Sequence, residues 1–325
     1  MGRWRSRGAG ARATAVIMAV ALLSCMSMAS SNWTEHALSS SDFTGKAIAR
    51  LASSTVLVGG ELRGSQDSAA LYRWSDGSGA RVYAGTGRII ALSAANDKAF
   101  ALLQQPLGSV PGSDYALLTS GDDGATWGAP VPILLPHLDQ LVAVNGSELW
   151  VMGEALSRSL DGGVTWREVA APGRRNLIKE RLAVEGSTVW LLGEATHMST
   201  DQGRSWISEQ PGAQVVARDG AVEIGVRENA AVWRDDPTKP WTALPIPAGS
   251  HPAAVDDHKG AIRMALTPPP ESQAGGLFLL EREQAATTWT TTRVPGAVFE
   301  PAVLLEAGEG YSVNPFNGTL WVREP

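Results

Sequence analysis

The chain has 325 residues, 44% of them hydrophobic and 18% charged, which supplies a buried core and excludes a disordered or coiled-coil protein. Its 35 glycines, 19 prolines and 12 tryptophans suit many short strands joined by tight turns, and its single cysteine excludes a disulfide framework or a cysteine-built zinc site. The net charge of −6 argues against general electrostatic binding to nucleic acid or anionic lipid.

The first element, residues 1–25, reads as an export signal. Arg3, Arg5, Arg7 and Arg12 precede an apolar run from Ala13 to Leu23. As a helix that run reaches about 16 Å, roughly half of a hydrocarbon core, so a signal peptide fits and a membrane span does not. Leu22-Leu23-Ser24-Cys25 follows and resembles a bacterial lipobox, which implies lipidation of Cys25. Cleavage after Ala29 is the alternative, since Ser27-Met28-Ala29 places small residues where a peptidase needs them. Both predict a protein outside the cytoplasm, periplasmic and lipid-anchored or secreted and soluble. Residues 1–24 hold four arginines and no acids, so their removal takes the net charge from −6 to −10. Residues 26–41 read as a Ser-rich tether and 42–325 as the folded body.

Within that body three segments align. Ser120, Asp122, Gly124 and Trp127 are matched by Ser159, Asp161, Gly163 and Trp166, and again by Ser199, Asp201, Gly203 and Trp206. All three read S-x-D-x-G-x-(S/T)-W, starting 39 and 40 residues apart. Upstream, Leu149 to Glu154 matches Val189 to Glu194. Asp and Gly suit a tight turn and the indole is expected to cover the hairpin. Each repeat holds four short strands, as in Leu141–Val144, Leu149–Met152, Leu156–Ser159 and Thr165–Val169, which is one blade of a β-propeller. The three aspartates then lie in different blades and are structural rather than a catalytic or metal cluster.

The blades with the full motif begin near Arg88, His137 and Asn176; weaker copies begin near Gly45, Ala213, His251 and Val298, with decayed turns at Trp74–Gly79, Asp235–Trp241 and Trp289. The last copy has three strands, ending at Leu320–Arg323, and Asn32–Ala37 reads as its missing fourth. We therefore expect an all-β, seven-bladed propeller of four-stranded antiparallel blades, closed by pairing the N-terminal strand with the last blade. Six blades is the alternative.

Binding residues are expected on the loops between second and third strands and on the links between blades, of which Gln104–Asp114 and Pro268–Gly276 are the longest loops. Arg174, Arg175 and Lys179, in the link before the fourth blade, form the compact basic cluster of an acidic chain and could hold an acidic partner. Arg50, Arg88, Arg181 and Arg218 recur near first strands and could form a positive funnel. His251, Asp256, Asp257 and His258 are too irregularly placed for a metal site, and neither a metal nor a cofactor is expected.

The S-x-D-x-G-x-(S/T)-W turn resembles the Asp box, or BNR repeat, and two families with that repeat are relevant. Over residues 115–210 the chain resembles the photosystem II assembly and stability factor and its bacterial relatives. That resemblance implies an exported, non-enzymatic propeller that binds protein partners through an arginine patch, for which Arg174 and Arg175 are the nearest positions. The second family is the sialidases, which implies a glycoside hydrolase with a Tyr–Glu nucleophile pair and three arginines for a substrate carboxylate. Tyr311 with Glu300 nearby would be that pair, but the early Phe-Arg-Ile-Pro-type motif is replaced by Phe43 to Arg50 and no arginine triad accompanies it. The expected function is a protein-binding scaffold or assembly factor of the bacterial envelope, held to the membrane by its lipid alone. The alternative is a sialidase-like hydrolase or glycan-binding lectin.

Overall fold

The computed structural model describes residues 33–38, 42–65, 68–106, 114–172, 180–247, 249–269, 277–283, 286–294, 302–306, 309–314 and 319–323. Among them, twenty-eight strands form seven four-stranded antiparallel sheets. In the first six the strands run in chain order from the centre outwards: blade 1 spans Phe43–Gly85, blade 2 Arg88–Ile133 and blade 3 Gln140–Val169. Blade 4 spans Arg181–Glu209, blade 5 Gln214–Ala243 and blade 6 His251–Val294. Blade 7 takes three strands from residues 302–323 and its outermost from Trp33–Ala37. That closing strand runs antiparallel to Thr319–Arg323, with Trp33 opposite Arg323 and Ala37 opposite Thr319. The fold is a closed seven-bladed β-propeller, and the six-bladed alternative is set aside.

Sequence pattern explains why the strands take these places. Second strands are covered by neighbouring blades on both faces, so they read as unbroken apolar runs. Leu149–Met152 is buried at every position, whereas the outermost strand Ile207–Glu209 is exposed at every position. A β-bulge interrupts the pairing of first and second strands in blades 1, 2, 5 and 6. In blade 3 the glycine after the second strand is needed for close approach. A Cβ on Gly153 would sit 1.7 Å from the His137 carbonyl oxygen.

The buried side chains gather into seven clusters, one at each seam between adjacent blades. Leu57, Leu71, Ala101 and Leu118 join blades 1 and 2; Phe100, Leu117, Leu149 and Val151 join blades 2 and 3. Trp150 and Leu191 join blades 3 and 4, and Trp190 with Val215 joins 4 and 5. Ile224 and Met264 join 5 and 6, and Leu279 with Leu305 joins 6 and 7. Phe43, Tyr72, Val313 and Leu320 close the ring between 7 and 1, where Phe43 meets Tyr72 edge-on at 4.7 Å. Among the described residues no helix is long and apolar enough to cross a membrane.

Candidate functional site

A propeller offers two faces. Turns between first and second strands and between third and fourth strands share one, the turn face. Loops between second and third strands and the links between blades share the other, the link face.

On the turn face the three repeated segments fold alike. The hydroxyls of Ser120, Ser159 and Ser199 donate to Asp122, Asp161 and Asp201 at 2.8, 2.8 and 2.9 Å, and accept from the amides of Gly124, Gly163 and Gly203 at 3.0, 2.8 and 2.7 Å. Each aspartate also takes the amide and the hydroxyl of the residue four positions on: Thr126, Thr165 or Ser205. Those bonds, the hydroxyl's foremost, hold all three carboxyls down at about 2. Every aspartate is used within its own turn, so no carboxylate cluster forms. The tryptophans do more than cover their hairpins. Trp127, Trp166 and Trp206 each pack on the seam cluster shared with the preceding blade, and Trp206 Nε1 donates to Ala170 of that blade at 2.9 Å. Trp241 does the same to Pro211 at 2.6 Å although its turn has lost the motif.

Where blade 7 meets blade 1, the turn face holds a cleft of about 630 Å³. Tyr311 and Glu309 lie in its wall together with Arg73, Asp123 and Arg323. Tyr311 is 3% exposed and stands on a second strand, one place outward from the channel. Its hydroxyl donates to Glu309, which Arg50 Nε approaches at 2.9 Å. Burial first, and the Glu309 bond second, push the phenol well above its ordinary value. Glu300 lies outside the described residues, and the carboxylate beside the tyrosine is Glu309. The cleft's guanidiniums are already matched, Arg73 donating to Asp123 at 2.9 Å and Arg323 to Glu281 at 2.6 Å, while Arg50, outside the lining, faces Glu309. Burial opposes ionisation of Asp123, but bonds from Ser53, Thr55 and Arg73 outweigh it and lower its pKa. Asp123 thus ties blade 2 to blade 1, a role the sequence reading missed.

The channel arginines divide rather than forming a funnel. Arg88 and Arg181 open their strands and lie at the link face; Arg88 donates to Gln104 at 2.7 Å. Arg50 and Arg218 lie at the other mouth, each held by a carboxylate, Arg218 by Glu223 at 3.0 Å. Glu223 is 1% exposed and also pairs with Arg234 at 2.5 Å. The turn-face mouth is acidic beyond those pairs. Burial raises Asp219, with Asp256, Glu185 and Asp257 adding to it, and burial raises Glu306 against the pull of Arg50.

Arg174, Arg175 and Lys179 lie outside the described residues, as do Cys25 and much of the two longest loops. Arg181, which begins the strand after that basic link, lines a cavity of about 300 Å³ with Gln214, Val226 and His251. His251 and His258 stand at opposite ends of one eight-residue strand. Among the described residues no three His, Cys, Asp or Glu side chains converge as metal ligands.

No protein-family profile matches the chain, and no curated protein matches it. Solved structures do. YCF48 bound to D1 peptide matches with a TM-score of 0.63 and 14% identity, over 91% of this chain and 98% of that one. YCF48 from Cyanidioschyzon merolae matches at 0.59 and 14%, over 90% and 98%. A catalytically inactive virginiamycin B lyase from Staphylococcus aureus with quinupristin matches at 0.60 and 13%, over 90% and 99%. At these identities the chain is similar to all three in fold, and that fold serves a peptide-bound protein and a lyase alike.

Proposed function

We propose that this chain is an exported, non-catalytic propeller that acts as a protein-binding scaffold or assembly factor in the bacterial envelope. The observation that carries the reading is the pairing in the seam cleft. Arg73 and Arg323 in its wall, and Arg50 against Glu309, each face a carboxylate of the protein itself, so among the described residues the wall presents no uncommitted guanidinium to clamp a substrate acid. What remains is a rigid ring whose loops and rim are available to partners. The peptide-bound YCF48 structure supports the reading, because the same architecture there holds a polypeptide. Arg174, Arg175 and Lys179 are the proposed contact on the link face, and Cys25 is the proposed lipid anchor. No cofactor takes part in this function.

Two experiments test it. Charge reversal at Arg174 and Arg175 should weaken capture of the native envelope partner at least tenfold, and undiminished capture would clear that link of a role. Cys25→Ser should move the protein from the membrane to the soluble fraction, and continued membrane association would refute lipidation.

One observation favours a second reading, a sialidase-like hydrolase or glycan-binding lectin: the Tyr311 hydroxyl rests on Glu309 beside Arg50. A buried phenol with a raised pKa is poorly placed to attack an anomeric carbon. Turnover of a fluorogenic sialoside, lost in Tyr311→Phe, would nevertheless make this reading the correct one.

A further inference from the structure

Beyond the link-face cluster, the rim between blades 3 and 4 carries a feature that neither folding nor the proposed contact explains. In the blade 3 turn, Ser159, Asp161, Gly163, Thr165 and Trp166 perform the side-chain bonding that the turn needs. The side chains at positions 160 and 164 take no part in it. Blade 2 places Gly121 and Ala125 there and blade 4 places Thr200 and Arg204, but blade 3 places Leu160 and Val164, 63% and 70% exposed. Beside them lies a groove of about 640 Å³. All of Trp166–Ala170, the outermost stretch of blade 3, lines it on one side, and Gln202–Arg204 of the next blade lines it on the other.

The groove's chemistry is mixed apolar and basic. Leu160, Trp166 and Val169 supply the apolar surface. Arg158 is already committed to Glu148 at 2.9 Å. Arg167 and Arg204 are exposed, and among the described residues neither guanidinium has a carboxylate partner. Glu168 is the groove's own acid. Along its length runs the outer edge of Arg167–Val169, which no other described strand pairs. An edge with side-chain recesses beside it is the arrangement that accepts an added strand.

We propose that this groove docks an extended segment of a partner protein in which acidic side chains alternate with apolar ones. The acids would meet Arg167 and Arg204, the apolar side chains would cover Leu160 and Trp166, and the backbone would extend the blade. A second copy of this chain is a poorer occupant, because a two-fold contact would set the same unpaired arginines against each other. A bilayer is poorer too, since a flat surface cannot fill a recess.

The test is a labelled octapeptide array in which Asp or Glu alternates with Leu, Val or Phe, printed beside copies carrying Lys for each acid. The acidic set should bind and the lysine set should not. Binding should fall tenfold or more in Arg167→Glu/Arg204→Glu and in Leu160→Ser/Val164→Ser, with unfolding midpoints unchanged in both. Charge reversal at Arg174 and Arg175 should leave array binding intact, so this proposal and the link-face contact fail separately. Absence of binding, equal binding of the lysine set, or equal binding by the groove variants would overturn it. Capture instead by phosphatidylglycerol vesicles, or dimerisation abolished by Leu160→Ser/Val164→Ser, would overturn it in favour of a membrane or a second copy.

Discussion

Gly163 and its neighbour Gly162 separate two demands that a tight turn makes on glycine. Both have positive φ, +74° at Gly162 and +93° at Gly163. At Gly162 an added Cβ would meet only a carbonyl oxygen at 3.6 Å, whereas at Gly163 it would lie 2.1 Å from Leu117 Cδ2 in the preceding blade. Gly162→Ala should therefore cost about 1–2 kcal/mol of backbone strain. Gly163→Ala should cost about 2–4 kcal/mol, because overpacking of the seam adds to the strain. Urea denaturation of the two variants compares them directly, and equal losses would remove the seam contribution. Glu223 makes a second residue-scale prediction. With Arg218 and Arg234 both paired to it in a buried site, Glu223→Ala leaves two cations uncompensated and should cost about 3–5 kcal/mol. Replacing all three with apolar residues of similar volume should recover much of that loss. The turn aspartates give a pH signature. Their folded values are depressed to about 2 against an ordinary 3.8, so their contribution is complete above about pH 4 and is lost as pH falls towards 2. Asp161→Asn should lower stability at neutral pH and flatten that acid limb, as thermal melts between pH 2 and 7 would show.

At the scale of the element, a tryptophan at or just before the fourth strand, present in blades 2 to 7, is the repeated joint. Trp127, Trp166, Trp206, Trp241, Trp289 and Trp33 each pack against the seam shared with the preceding blade. Trp33 belongs to the closing strand, so its loss acts on the ring's last junction. Trp33→Ala should cost about 3–5 kcal/mol, and a variant lacking residues 33–37 should expose the Thr319–Arg323 edge and aggregate. Light scattering on concentrated samples measures the second effect. Turns and tryptophans were legible in the sequence because their determinants lie within eight residues of one another. So was blade closure, since Trp33-Thr34-Glu35 mirrors Trp166-Arg167-Glu168. The ion pairs were not: Asp123 meets Arg73 from fifty residues away across a seam, a distance that no local pattern encodes. Glu309 was legible and overlooked. It stands two residues before Tyr311, and positions i and i+2 of a strand share a face, whereas Glu300 lies outside that strand. The division of Arg50 and Arg218 from Arg88 and Arg181 follows similarly from strand direction, since Arg50 ends its strand and Arg218 stands one short of its end, whereas Arg88 and Arg181 begin theirs.

For the whole molecule, the seven seam clusters mean that the core is a cycle of equivalent junctions rather than one central mass. Function must therefore be sought where a blade departs from its siblings, as blade 3 does at Leu160 and Val164 and the link before blade 4 does at Arg174 and Arg175. Closure carries a further consequence, for how the chain is made. Trp33–Ala37 emerges from a ribosome well before its mate, Thr319–Arg323, which lies far along the chain. At about 5–20 residues per second the early segment waits tens of seconds for that mate. Until then the five junctions among blades 1 to 6 can set, and the two that flank blade 7 cannot. Final latching thus waits for Thr319–Arg323 and joins two segments far apart in the sequence. A slow kinetic phase that tracks Trp33 fluorescence, and disappears when the final strand is supplied as a fused N-terminal copy, would be its signature.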